Sequence, residues 1–140
     1  MKKLPPYQIT YREDIIEILR VDNQGNKIGE IFGEKQKSLF YYINFLSIDE
    51  YNKLIKGKKL FMIRMLEIEQ EFRNQGHGTK FMLRMLLILK RKKIKHVLLN
   101  AHPVDFNGLK MPELKKFYEK FGFRILHEDY YCCYMLLDLC

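Results

Sequence analysis

Polar and apolar residues alternate through Lys27-Ile28-Gly29-Glu30-Ile31-Phe32-Gly33, the two-residue period of a strand with one buried face. Before it, Asp14-Ile15-Ile16-Glu17-Ile18-Leu19-Arg20-Val21 is rich in β-branched residues, and Asp22-Asn23-Gln24-Gly25-Asn26 between the runs carries turn chemistry. Together they predict a β-hairpin. A short helix over 14–20 is the competing reading, because Ile15, Ile16 and Leu19 would also share a helical face. Residues 38–48, through Phe40-Tyr41-Tyr42-Ile43-Asn44-Phe45-Leu46, read as a third strand whose aromatics suit a half-buried pleated surface. Residues 49–56 read as a short helix capped by Ser47 or Asp49 and ended by Gly57.

The run 60–68 is apolar on both faces except at Arg64 and Glu67, which predicts a strand central in its sheet. A helix follows Gly78 and continues to about Lys93. Its Phe81, Met82, Leu83, Met85, Leu86, Leu87, Ile88 and Leu89 cover most of the circumference, leaving Lys80, Arg84 and Arg91 as a wet stripe. Deep packing against a sheet is expected. Residues 94–101 return as a strand, completing a strand–helix–strand unit with parallel strands. Pro103, Asn107 and Gly108 mark a loop over 102–111, and Pro112 stands where a helix begins. That helix, carrying Leu114-Lys115-Lys116-Phe117-Tyr118-Glu119-Lys120-Phe121, stops at Gly122; strands over 123–127 and 130–139 close the chain. The expected fold is α+β, a single domain over 1–140, with a mixed sheet of about six to seven strands, a long helix after the central strand and a second helix near the C-terminus.

Composition narrows the partners. The net charge of +8 favours polyanions: a nucleic acid, a membrane surface or a phosphorylated ligand. No apolar run approaches the roughly 20 residues of a membrane span, so no membrane partner is expected. Met1-Lys2-Lys3 resembles the start of a signal peptide, but Pro5, Pro6 and polar residues replace its apolar region. Cys132, Cys133 and Cys140 lack bridge or metal spacing and fit thiols in a reducing cytoplasm. Lys90-Arg91-Lys92-Lys93 and Lys95 invite a nucleic-acid reading, but cations at a helix C-terminus are favoured by the dipole and no interleaved aromatics accompany them. The apolar run 130–140 leaves room for pairing with a second copy as a homodimer.

The most informative stretch is Glu71-Phe72-Arg73-Asn74-Gln75-Gly76-His77-Gly78-Thr79-Lys80, between the central strand and the long helix. Glycines at 76 and 78 let the backbone turn sharply and approach a ligand. The first N–H groups of a helix lack partners and sit at the positive end of the dipole, a site for phosphate or pyrophosphate. A P-loop spacing is absent, and position 81, where a dinucleotide fingerprint needs glycine, is Phe81.

Arg73-Asn74-Gln75-Gly76-His77-Gly78 resembles the Arg/Gln-x-x-Gly-x-Gly/Ala signature of the GNAT acetyltransferase superfamily, and Phe117-Tyr118-Glu119-Lys120-Phe121-Gly122-Phe123 resembles its Tyr-Glu-Lys-x-Gly-Phe segment. The resemblance covers about residues 58–138. It implies an acetyl-coenzyme A-dependent N-acetyltransferase acting on a primary amine of a small molecule or protein, by direct attack in a ternary complex, with no metal. The pantetheine arm would pair with backbone at Leu66, Glu67 and Ile68; the pyrophosphate would take N–H groups of Gln75, Gly76, His77, Gly78, Thr79 and Lys80, with Arg73 and Asn74 shaping the turn. The family's asparagine corresponds to Asn107 after a shift in alignment. Tyr118 would be the general acid that protonates the departing thiolate; packed core beside Phe117 and Phe121 is the alternative. A base for the amine is sought among Glu67, Glu69 and His102, with Glu67 preferred because it interrupts an apolar strand. His77 would contribute its backbone N–H.

Many members carry two helices between their first two strands, and Asn23-Gln24-Gly25-Asn26 leaves no room for them. A non-catalytic acyl-coenzyme A-binding module is therefore the second reading, and a basic nucleic-acid-binding protein the third.

Overall fold

The computed structural model describes residues 3–36, 60–102, 110–130 and 133–139. Among them, seven strands form one mixed sheet in the order β1-β2-β3-β4-β5-β7-β6. They are β1 (Gln8–Arg12), β2 (Ile15–Val21), β3 (Lys27–Gln36), β4 (Leu60–Ile68), β5 (His96–Asn100), β6 (Arg124–Glu128) and β7 (Cys133–Asp138), with helices α1 (His77–Arg91) and α2 (Met111–Glu119). The expected α+β architecture is the observed one. The expected strand over 38–48, the short helix over 49–56 and Asn107 lie outside the described residues.

The hairpin forms and the helix over 14–20 does not: β2 pairs antiparallel with β3 from Ile15↔Glu34 to Val21↔Lys27. Its turn is tied by the Asp22 carboxylate, which accepts the N–H groups of Gln24 at 2.9 Å and Asn26 at 2.8 Å. Alternation decides the outcome, because Ile16, Ile18 and Ile31 reach one buried face only as strand residues. β1, which pairs with β2, is a strand that the sequence reading passes over. All five of its residues are exposed, so it carries no burial signal.

β4 is fourth of seven strands, central as expected, and its parallel partner is β5. α1 crosses between them and ends with Lys90 and Arg91 in its last turn, where the dipole favours cations. The helix is less deeply sunk than expected. Phe81, Met82, Met85 and Leu89 are buried, but Leu83 is 54% and Leu87 48% exposed. The solvent side therefore runs through Lys80, Leu83, Arg84, Leu87, Lys90 and Arg91. Apolar identity overstated the contact face because only about half of a helix can touch one sheet.

α2 opens with Pro112 at its first turn, as predicted. It lies over β5 and β7 on the α1 side and is anchored to β6 by an ion pair between Lys115 and Glu128. β7 inserts between β5 and β6, so Met135, Leu136 and Leu137 fill the sheet rather than forming a sticky end; Tyr130, just before it, is exposed. Among the described residues no helix is long and apolar enough to cross a membrane.

Candidate functional site

β4 changes character halfway along. From Leu60 to Ile63 it pairs with β5 on one side and β3 on the other. Beyond Ile63 its only pairing among the described residues is with β3, while β5 runs on to Asn100 against β7. The strands splay apart. The break coincides with a bulge: Gly33 faces Ile63 and Phe32 faces Met65, so Arg64 is the inserted residue in the register. One extra residue shifts the period, so Phe61 and Ile63, then Leu66 and Ile68, meet the core, while Met65 and Glu67 turn to the other face. Alternate backbone N–H and C=O groups of residues 65–68 thus point into the opening, available to an extended ligand.

The chain then turns through residues 69–76 into α1. Arg73 donates from Nε to the carbonyl of Ile68 at 2.9 Å, clamping the turn to the end of β4. Asn74 and Gly76 adopt φ of +63° and +82°, a left-handed pair that curls successive N–H groups inward. Gly76 is the N-cap and no side chain caps it; the first tied amide is that of Lys80, to the Gly76 carbonyl at 3.2 Å. The amides of His77, Gly78 and Thr79 therefore lead the helix without intrahelical partners. No acidic residue stands in that turn, and Lys80 does. A negatively charged ligand fits this end, and bare glycine at 76 leaves its approach open, with nothing within 4 Å of where a Cβ would stand.

α2 closes the other side. A Cβ at Gly78 would lie 3.4 Å from the Phe117 ring, so these two positions meet. Tyr118 follows, 8% exposed and packed edge-on against Phe117 and Phe123 at ring-centroid distances of 5.2 and 5.9 Å. Burial pushes its phenol up to about 12, so it stays protonated at neutral pH and keeps a proton to donate. Glu67 is half-buried and stands opposite Glu30 of β3. Lys27 bridges this carboxylate group, 2.6 Å from Glu30 and 3.9 Å from Glu69, and the Glu30 contact chiefly raises its pKa. Glu71 and His102 are exposed.

His77, expected to contribute its backbone N–H, buries its side chain. Its side chain is 6% exposed, edge-on to Phe72, and its Nδ1 is enclosed without a hydrogen-bond partner among the described residues. Burial first, then the charges of Lys80 and Arg20, hold its pKa below the usual value, so the ring is neutral. Enclosed at Nδ1 and edge-on to Phe72, the ring packs beneath the turn. Two further features escaped sequence reading: the bulge at Arg64 and the splay it starts, both of which require strand register.

No family model and no curated protein matches the sequence. Solved structures match its fold. The PaiA N-acetyltransferase from Thermoplasma acidophilum, solved with coenzyme A, aligns with TM-score 0.59 at 19% identity over 89% of this chain and 61% of that one. A GNAT-family acetyltransferase from Staphylococcus aureus Mu50 gives 0.61 at 15% identity, over 90% and 68%. Naa50 from Arabidopsis thaliana, bound to the bisubstrate analogue CoA-Ac-MVNAL, gives 0.58 at 18% identity, over 86% and 70%. The chain has the GNAT fold, and it spans less than two-thirds of the Thermoplasma protein.

Proposed function

We propose that the protein is an acetyl-coenzyme A-dependent N-acetyltransferase acting on a primary amine by direct attack in a ternary complex. The observation that carries this reading is the conjunction of a strand edge left free beyond Ile63 with an uncapped, glycine-opened helix end at its tip. The first suits an extended amide-bearing arm and the second a pyrophosphate. Coenzyme A carries both.

In this reading the backbone of Leu66, Glu67 and Ile68 pairs with the pantetheine arm. Amides of residues 75–80 hold the pyrophosphate, Arg73 and Asn74 fix the turn, and Asn107 contributes a further contact. The amine, once deprotonated, attacks the thioester carbonyl. A new C–N bond forms, the C–S bond breaks, and the thiolate takes a proton from the Tyr118 hydroxyl. Glu67, directly or through water, takes the proton that the amine gives up. Its face of β4, opposite that of Leu66, suits an acceptor arriving from the other side of the strand.

The second reading, a coenzyme A-binding module without turnover, is favoured by the tight turns joining β1, β2 and β3, which leave no helices there to build an acceptor pocket. Thiol release from acetyl-coenzyme A, measured across a panel of primary amines, separates the two. Turnover with any amine supports the enzyme; saturable coenzyme A binding with no release across the panel supports the module.

A further inference from the structure

The sheet ends in two edge strands that are guarded differently. β6 breaks its register with β7 between Ile125 and His127, and Arg124, His127 and Glu128 put three ionisable side chains along five residues. Glu128 is further tied to Lys115 of α2. A bulge and clustered charges keep an edge strand from pairing with another chain. β1 has neither. Its five residues pair with β2 in unbroken register, from Gln8↔Leu19 to Arg12↔Ile15. Its one charged side chain, Arg12, is held by Glu17 of β2 at 3.3 Å.

The backbone of β1 is engaged on one side only. The two-residue loop Glu13-Asp14 makes Arg12↔Ile15 a hydrogen-bonded pair, so Thr10 and Gln8 also turn their N–H and C=O groups toward β2. Those of Ile9 and Tyr11 point the other way and meet no hydrogen-bond partner among the described residues. The side chains sort by face as well. Ile9 and Tyr11 stand opposite Ile18 and Ile16, on the α1 side, and are 38% and 54% exposed. Gln8, Thr10 and Arg12 stand on the other face. An exposed edge with open backbone groups and apolar side chains is a template for another strand.

We infer that β1 is the interface of a homodimer, pairing antiparallel with β1 of a second copy about a two-fold axis at Thr10. The strand is self-complementary in this register. Ile9 of each copy meets Tyr11 of the other, and these are the residues with open N–H and C=O groups, so each pair exchanges two hydrogen bonds. Their side chains close an apolar patch on the α1 face, which Tyr7 continues against Phe81. On the other face Thr10 meets Thr10 and Gln8 meets Arg12, pairs that can hydrogen-bond and set no like charges opposite one another. Pro5 and Pro6 precede the strand and have no N–H to extend the ladder, so pairing is confined to these residues. The two-fold contact uses up the open edge of both copies, and with β6 guarded the assembly closes at two chains. A cavity of about 470 Å³ on the face away from α1 reaches from Arg64 to Arg12, so Gln8 of the second copy, beside Arg12, joins its rim. The inference stands apart from the acetyltransferase reading.

Sedimentation equilibrium of the full chain tests this. The mass of the wild type is expected to rise with concentration toward twice the 17.0 kDa of one chain. Added salt should strengthen the dimer, because each copy carries a net charge of +8. Ile9→Pro removes an outward N–H and leaves the β1–β2 ladder intact, so it should weaken association at least about tenfold. Ile9→Lys, a charge on an exposed edge position, should act in the same direction while keeping every backbone donor. Ile125→Lys on β6 should leave the dimer unchanged. In hydrogen exchange, the amides of Ile9 and Tyr11 should slow as the wild-type concentration rises and stay fast in Ile9→Lys. A wild type that keeps the one-chain mass up to about 1 mM, or a dimer of equal affinity in both Ile9 variants, overturns the inference. So does exchange at Ile9 and Tyr11 that ignores concentration.

Discussion

The two halves of β4 are built from similar residues and do different work. Leu60, Phe61, Met62 and Ile63 are buried on both faces and paired on both edges. Met65, Leu66, Glu67 and Ile68 are half-buried, with one edge free of β5. The bulge at Arg64 divides them. Below it the strand holds the sheet together, and above it the strand presents unused backbone to a cleft. An opening in a sheet thus needs one inserted residue and a neighbour whose pairing stops short, here β5, which β7 holds on its other edge from His96 to Asn100.

The comparison breaks most severely in the lower half. Phe61 is fully enclosed between the sheet and α1, so Phe61→Ala is expected to cost about 3–5 kcal/mol and to lower the denaturation midpoint by urea titration. A loss under about 1 kcal/mol would mean that this half is not the packed anchor described here. The upper half predicts a change of function without a change of fold. Tyr118→Phe keeps the ring packing against Phe117 and Phe123 and removes the donor, so kcat should fall about a hundredfold while coenzyme A affinity stays within twofold. Unaltered kcat assigns Tyr118 to packing alone.

A smaller effect comes from His77 beneath the turn. Its folded pKa lies below 6.5, the ordinary value, so the unfolded chain binds more protons over the interval between the two. The contribution of the neutral ring is complete above pH 6.5 and is lost as pH falls toward the folded pKa. Thermal midpoints between pH 7.5 and 5 should decline more steeply for the wild type than for His77→Phe, which keeps an aromatic body and cannot charge. Parallel curves for the two proteins would remove His77 from the account.

Much of this was legible in the sequence, for identifiable reasons. The hairpin, β4, α1, β5, α2 and the closing strands each combine periodicity with a marked turn: Asp22 to Asn26, Gly76 and Gly78, Pro112, Gly122. Local physics suffices there. β1 was missed because an exposed edge strand of five residues has no buried face to impose a pattern. Leu83 and Leu87 misled because an apolar side chain on a helix records nothing about what covers it. The splay and the Arg64 bulge were illegible, since both depend on which residues of distant strands stand opposite one another. Register sets Phe32 against Met65 across the bulge, and no local spacing encodes it.

Calorimetric titration of coenzyme A into the wild type and into Gly78→Val tests the central claim most directly. The added side chain at position 78 meets Phe117 at the mouth of the helix end and should crowd the cleft without straining the backbone, since the position is helical. The account predicts saturable binding at one site for the wild type and an affinity at least about tenfold weaker for Gly78→Val, with unchanged far-ultraviolet dichroism. No binding by the wild type, or equal affinity for the two proteins, would contradict it.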